Sequence, residues 1–220
     1  MDKNLLIKDF EERMEKIGLR THYVHALEKA MEQMYSHDRP TFYHNLSVAR
    51  LARRMARLFG LDEEFAYNAG VLHDAGKTGI LSKVLNKTSI TESEKREIQL
   101  HPFGSYDFCM QYGLYKEAHT VERHHRSQNG TSYPSRLHNF RKSMSEDGKK
   151  QIEGMARIVS VADCCDALKR MNDHLEGMII RSPRDLLEQL LKQRPYSSDL
   201  IHPSFEAGIL QNGYFDSHHI

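Results

Sequence analysis

Only three cysteines occur in the 220 residues, and two of them, Cys164 and Cys165, are adjacent within an apolar segment. That excludes a disulfide framework and a spaced zinc motif, and leaves reduced, small core residues. No run approaches the roughly 20 apolar residues of a membrane span, and the opening MDKNLLIKDFEERMEK is charged where a signal peptide would be apolar. The expectation is a cytoplasmic protein with no membrane partner. An excess of one charge is also missing, because 31 Lys and Arg stand against 30 Asp and Glu for a net +1. No overall field therefore attracts a nucleic-acid polymer, and phosphate binding must be local. Strand-period alternation, internal repeats and low-complexity tracts are absent too, which argues against a β or repeat architecture.

What is present is helical periodicity in an ordinary globular composition, 39% hydrophobic and 28% charged, in a chain long enough to bury a real core. Leu6, Phe10, Met14 and Ile17, then Val24, Leu27, Met31 and Met34, predict two helices broken around Gly18. Leu46, Val48, Leu51, Met55 and Leu58 predict a helix from Pro40 to Phe59, ended by Gly60. Glu63 to Leu72 predicts a shorter one. Thr91 with Glu94 forms a capping box for a helix that stops near His101 and Pro102. Further helices are expected over Phe103 to Tyr112, Lys116 to His125, Met155 to Met171, and from Pro183. Residues 127 to 150 read as the longest loop, and the tail after Pro195 as mixed. The fold class is all-α, with a helical extension over 1–36 and one domain over 37–220.

Histidine is the abundant residue, at 14, and imidazole is the commonest protein metal ligand. The pair His73–Asp74 in HDAGK would by itself read as packing and capping. Other potential ligands, however, recur at helix ends or on apolar faces: His44, His101 before Pro102, His124 with His125, and Asp163. Asp163 makes the strongest individual case, since ARIVSVADCCDAL buries a carboxylate in one of the most apolar stretches, and such a group must be paired, hydrogen-bonded or metal-bound. Pairing with Arg157 or Arg170 stays open, and metal binding is favoured. Four histidines and two aspartates suit two divalent ions such as iron or manganese.

The ordered series His44, HDAGK, HPFG, HHRSQNGTSYP and RIVSVADCCDAL resembles the HD-GYP branch of the HD-domain metal-dependent phosphohydrolases over roughly residues 38 to 210. DLIHPSFEAGIL is similar to that family's last motif, where a short Asp-Pro stretch precedes a terminal helix. The resemblance implies an all-helical HD-domain bundle in which His44, His73, Asp74 and Asp163 hold one metal. Asp74 would bridge to a second held by His101 and His124. His125 matches a third-metal ligand of some members, but Pro40 stands where those members carry a Glu, so two metals are expected. Lys77 matches a lysine that contacts the substrate phosphate, and His125, Arg126 and Tyr133 are expected beside the substrate. The implied activity is phosphodiester hydrolysis through a metal-bridging hydroxide, with Asp74 and Lys77 catalytic, on a small-molecule phosphate ester such as a cyclic di-GMP-like cyclic or linear dinucleotide.

Departures from the family pattern qualify the substrate. Arg126, Asn129 and Ser132 replace an acidic HHE and GYP context of which Gly130, Tyr133 and Pro134 persist. Asn172, Asp173, His174 and Leu175 replace an Arg-Pro-Tyr-Arg/Lys run that grips cyclic di-GMP, which predicts that this nucleotide is a poor substrate unless the basic loop residues Arg136, Arg141 and Lys142 fold over the site. Two other readings are kept: a di-iron oxygenase of the inositol-oxygenase type, which uses a very similar ligand set, and a degenerate, non-catalytic nucleotide-binding module. No sensory or receiver segment precedes the region of resemblance, so regulation is expected from a partner or a homodimer.

Overall fold

The computed structural model describes residues 3–17, 21–126, 128–129, 132–174 and 180–211. Among them the chain is all-α, with no strand. Its helices are α1 (Lys3–Ile17), α2 (Thr21–His37), α3 (Arg39–Leu58), α4 (Glu63–Leu72), α5 (Ser82–Leu85), α6 (Glu92–Ile98), α7 (His101–Gln111), α8 (Tyr115–Arg123), α9 (Glu146–His174), α10 (Pro183–Gln193) and α11 (Ser198–Glu206), with 3₁₀ turns at Ala75–Gly79 and Pro195–Ser197. No described helix is long and apolar enough to cross a membrane.

Helix α3 begins where the Asp38 carboxylate accepts from Thr41 N at 2.9 Å, with Pro40 in the first turn, both standard helix-start devices. It ends at Gly60, whose φ of +64° is a left-handed conformation that glycine adopts without strain. Asp62 then caps α4 by accepting from Phe65 N at 3.0 Å. The two helices approach closely, since a Cβ on Gly70 would lie 2.4 Å from Ala49 Cα.

This α3–α4 pair separates two cores. On one side Val48, Leu51, Met55 and Phe65 pack with Ile158 and Val161 of α9, Leu186 and Leu190 of α10 and Ile201 of α11. On the other, Leu46, Tyr67 and Leu72 pack with Leu6, Leu27, Met31 and Met34 of α1 and α2 and with Leu114 and Val121 near and within α8. The expected N-terminal extension therefore shares a core with the residues that follow it.

Several boundaries differ from expectation for identifiable reasons. The helix expected from Met155 starts at Glu146, because the polar first turns EDGKKQ carry no apolar period although Ser145 Oγ accepts from Gly148 N there. The loop expected over 127–150 is shortened accordingly. Pro102 opens α7 and does not merely stop α6, as proline's fixed φ and missing N–H suit a first turn. The mixed tail contains α11, with Pro203 inside that helix; the Asp-Pro stretch does not precede it.

One buried group carries a stability prediction. Glu117, in the first turn of α8, is 3% exposed and its Oε2 lacks a partner, so burial pushes its pKa from an ordinary 4.5 up to about 7. The folded state holds this proton where the unfolded state releases it, so stability falls as pH rises from 4.5 and the loss is complete above about 7. Glu117→Gln should remove that loss. We expect it to stabilise the protein by about 2–3 kcal/mol more at pH 8 than at pH 5, read from the two proteins' denaturant midpoints and slopes. A pH-independent effect would show that the carboxyl does not ionise in place.

Candidate metal centre

Every expected ligand sits at a helix end or on an inward helix face. His73 follows α4 and Asp74 precedes the Ala75–Gly79 turn, while His101 opens α7. His124 and His125 follow α8, His44 lies within α3, and Asp163 within α9. The HDAGK turn seats directly on α7, where a Cβ on Gly76 would come 2.1 Å from the His101 carbonyl oxygen. Only glycine permits that approach. Ser105 Oγ bridges the contact, donating to the His73 carbonyl at 2.8 Å and accepting from Gly76 N at 2.9 Å.

The structure brings His44, His73, Asp74, His101, His124, His125 and Asp163 together, none more than 9% exposed. Three overlapping sets, His44–His73–Asp163, His73–Asp74–His124 and His101–His124–His125, each place their ligand atoms within 4.8 Å of one another. The imidazole orientations follow from their outer hydrogen bonds. Nδ1 of His73, His101 and His124 lies 2.8, 2.7 and 2.5 Å from the carbonyls of Gly70, Ile98 and Val121. A carbonyl only accepts, so Nδ1 carries the hydrogen and Nε2 turns inward as the ligand atom. His44 does the same with a carboxylate, its Nδ1 donating to Asp166 Oδ2 at 2.7 Å.

Asp74 stands between the two groups of imidazoles. Its Oδ2 faces His44 and His73 Nε2 at 3.6 and 3.4 Å, and its Oδ1 faces His101 Nε2 at 3.0 Å. Asp163 Oδ1 lies 3.1 Å from His44 Nε2 and 4.0 Å from His73 Nε2, while His101 and His124 Nε2 are 3.4 Å apart. His73 Nε2, Asp74 Oδ1 and His125 Nδ1 are buried without hydrogen-bond partners among the described residues, an arrangement that costs stability unless a cation satisfies it. The described residues thus fit divalent metal, with borderline imidazoles and hard carboxylates converging on shared space.

Electrostatics point the same way. Burial, helped by His73 and His101, pulls His124 from 6.5 down to about 3, and burial with His124 holds His125 well below its usual value. Those rings are kept in the neutral form that ligates metal. Burial opposes ionisation of Asp74 and Asp163, yet His73, Lys77 and His101 around Asp74, and His44 and His125 around Asp163, hold both well below the carboxylate range.

Lys77 Nζ sits 2.5 Å from Asp74 Oδ2. The Tyr133 ring stacks on His125 with centroids 4.3 Å apart. Arg126 is placed elsewhere: its Nη1 donates to the Pro134 carbonyl at 3.1 Å and its side chain lines a separate depression with Arg123 and Tyr196. The arginine alternatives for Asp163 are corrected too. Arg157 pairs with Asp199 and Arg170 with Asp166; the guanidinium near Asp163 is that of buried Arg194, whose Nη2 is 3.7 Å from Oδ2 and whose Nε donates to Ser160 Oγ at 2.8 Å. Of the basic loop, Arg141 stacks on Tyr115 at 3.4 Å and His138 is held by Glu122 Oε1 at 2.6 Å, so these two side chains are engaged elsewhere. Gly130 and Leu175, and the side chains of Asn172, Asp173 and His174, lie outside the described residues.

Asp166 escaped the sequence reading. Buried on α9, it accepts from His44 Nδ1, from Ser47 Oγ and from Arg170 Nε at 2.9 Å. Its spacing of three from Asp163 puts both carboxylates on one helix face, a signal visible in ADCCDAL. Asp166→Asn should weaken metal binding about 10–100-fold, as loss of an outer partner of a ligating histidine does, measured by competition with a chelating dye. Wild-type affinity would show that His44 is oriented without it.

Comparison with known proteins matches the HD domain over residues 41–168, more than half the chain and all seven residues of the cluster. The 3'3'-cGAMP-specific phosphodiesterase 3 of Vibrio cholerae is 28% identical over 143 residues, 64% of this chain and 29% of that protein. The cyclic di-GMP phosphodiesterase PA4108 of Pseudomonas aeruginosa is 26% identical over 155 residues, 67% of this chain and 35% of that protein. The chain thus spans about a third of the length of these relatives. The HD domain of the phosphodiesterase PgpH from L. monocytogenes superposes with a TM-score of 0.53 at 16% identity, covering 81% of this chain and 85% of that one, a likeness of fold. With its HD pair at a helix end, its converging histidines and this match, the chain belongs to the HD domain family.

Proposed function

We propose that this chain is a metal-dependent phosphodiesterase of the HD-GYP type, acting on a cyclic or linear dinucleotide. The observation that carries the reading is Asp74, whose two oxygens face different imidazole groups, as a bridging carboxylate must. His44, His73, Asp74 and Asp163 would hold one ion, and Asp74, His101 and His124 a second, with His125 alongside. Iron or manganese suits this mixture of imidazole and carboxylate. Such ions supply Lewis acidity towards a phosphoryl oxygen and a bound water of lowered pKa. The chain's own residues do the rest. Lys77 places an ammonium beside the reacting phosphoryl group, and Asp74 and Asp163 fix the donor geometry from buried, rigid positions. Tyr133, stacked on His125, closes one side of the centre, and Arg126 tethers the Tyr133–Pro134 segment through the Pro134 carbonyl. The names of the relatives, phosphodiesterases of 3'3'-cGAMP and cyclic di-GMP, support a dinucleotide substrate.

The test is elemental analysis of anaerobically purified protein, followed by turnover of cyclic and linear dinucleotides. Two ions per chain and release of a linear dinucleotide or a mononucleotide are expected. A metal-replete protein that cleaves no phosphate ester but consumes oxygen would move the assignment to the oxygenase class, and a metal-free, inert protein to a binding module.

A further inference from the structure

A cleft of about 770 Å³ opens beside the centre, within the roughly 300–1,000 Å³ typical of small-molecule sites. Buried His44 and Lys77 line one part of it, and Asn86, Lys87, Arg170 and Met171 another. The one acid among the described residues of its lining, Asp38, has both oxygens occupied: Oδ2 accepts from Thr41 N and Oγ1, and Oδ1 from Ser82 Oγ and Asn86 Nδ2. Among the described residues of the lining, no free carboxylate oxygen opposes an anion. Pro40, Leu85 and Met171 supply apolar surface along the same wall, suited to the face of a nucleobase.

The three cations differ in what remains available to a ligand. Lys77 is on Asp74, and Lys87 is ion-paired with Glu94. Arg170 is bound through Nε alone, to Asp166 Oδ2 at 2.9 Å, and its two terminal nitrogens have no hydrogen-bond partner among the described residues. Because the same carboxylate also holds His44 Nδ1, the guanidinium is anchored to a residue of the centre. An arginine fixed at Nε with free terminal donors is pre-organised for phosphate oxygens.

Resting on the phosphodiesterase reading above, we propose that Arg170, flanked by Lys87, contacts a second phosphate of the substrate and sets a preference for dinucleotides that carry one beyond the scissile diester. It would do so from within the long helix, two residues before the position where the resembling family places its first arginine, which here is Asn172.

Two linear dinucleotides isolate this contact. Guanylyl-guanosine (GpG) and its 5'-phosphorylated form (pGpG) share the diester and differ in the terminal phosphate alone. The wild-type enzyme is expected to show a kcat/KM for pGpG roughly tenfold or more above that for GpG, chiefly through KM, the scale of a charge-assisted contact. Arg170→Gln and Lys87→Gln should each lower that ratio, whereas Lys83→Gln, at an exposed lysine outside the cleft, should keep it. Arg170 also touches Asp166, so Lys87→Gln, at a side chain paired with Glu94 and not with Asp166, separates loss of the anion contact from disturbance of His44. Equal kcat/KM for the two dinucleotides, or a ratio retained in both cleft variants, would overturn the proposal while leaving the phosphodiesterase reading intact. No turnover of pGpG, GpG or bis(p-nitrophenyl) phosphate by the metal-replete enzyme would overturn both.

Discussion

Asp74→Ala is expected to yield a folded protein that retains no metal in either half of the centre and no phosphodiesterase activity. Asp74 is 1% exposed, and each of its oxygens faces a different imidazole group. On the proposed reading, its removal would take an anionic donor from both ions at once. It also leaves the imidazoles of His44, His73 and His101 without the negative charge that would offset two cations in a buried space. The loss of affinity should exceed the roughly 100-fold ceiling for an outer partner such as Asp166. Folding should survive, because the two apolar cores lie on either side of α3 and α4 and neither includes Asp74. Elemental analysis of the variant prepared with iron and manganese in excess decides the matter. Retention of one ion per chain would mean that Asp74 serves a single ion, and the two halves would have to be held by separate ligand sets.

The clustering of these buried polar residues was legible in the sequence because it breaks a rule of burial. His73, His101 and Asp163 sit in stretches whose periodicity already places them inside, where an unmatched polar group is costly. The Gly of HDAGK was readable as a break, and the structure gives its cause in the contact with α7. What stayed hidden depends on tertiary arrangement. Arg194 reaches Asp163 from beyond α10, and no local pattern distinguishes it from Arg157 or Arg170, which were nearer in sequence and pair elsewhere. Asp166 was overlooked because a second carboxylate one turn after a ligand reads as ordinary helix composition; its role appears only when α3 brings His44 and Ser47 to it. The engagement of Arg141 away from the centre was hidden for a similar reason. Arg141 and His138 find an aromatic ring and a buried carboxylate next to α8, partners that their own segment does not encode.

Lys77→Ala should lower kcat by about 10²–10³-fold while both ions stay bound, the scale of losing one pre-organised charge contact to a developing anion. Two roles for this lysine have to be separated, because its Nζ lies 2.5 Å from Asp74 Oδ2 and a plain counter-ion would occupy the same place. The 3₁₀ turn Ala75–Gly79 fixes the lysine backbone, with Lys77 N donating to the Asp74 carbonyl at 2.9 Å. Its side chain is 22% exposed and lines the cleft beside His44, so the ammonium reaches both the carboxylate and the space a substrate phosphate would fill. With metal held by Asp74, the ammonium would be free to turn towards the phosphoryl oxygens of a substrate. A counter-ion role predicts the opposite pattern: without Lys77 the uncompensated carboxylate would bind metal as tightly or more tightly, and turnover would persist. Lys77→Arg should restore little, since a planar fork cannot replace a compact ammonium next to an aspartate in so tight a turn. Single-turnover rates at saturating metal, measured together with metal content, distinguish the two, and full turnover by metal-loaded Lys77→Ala would remove the lysine from the chemistry.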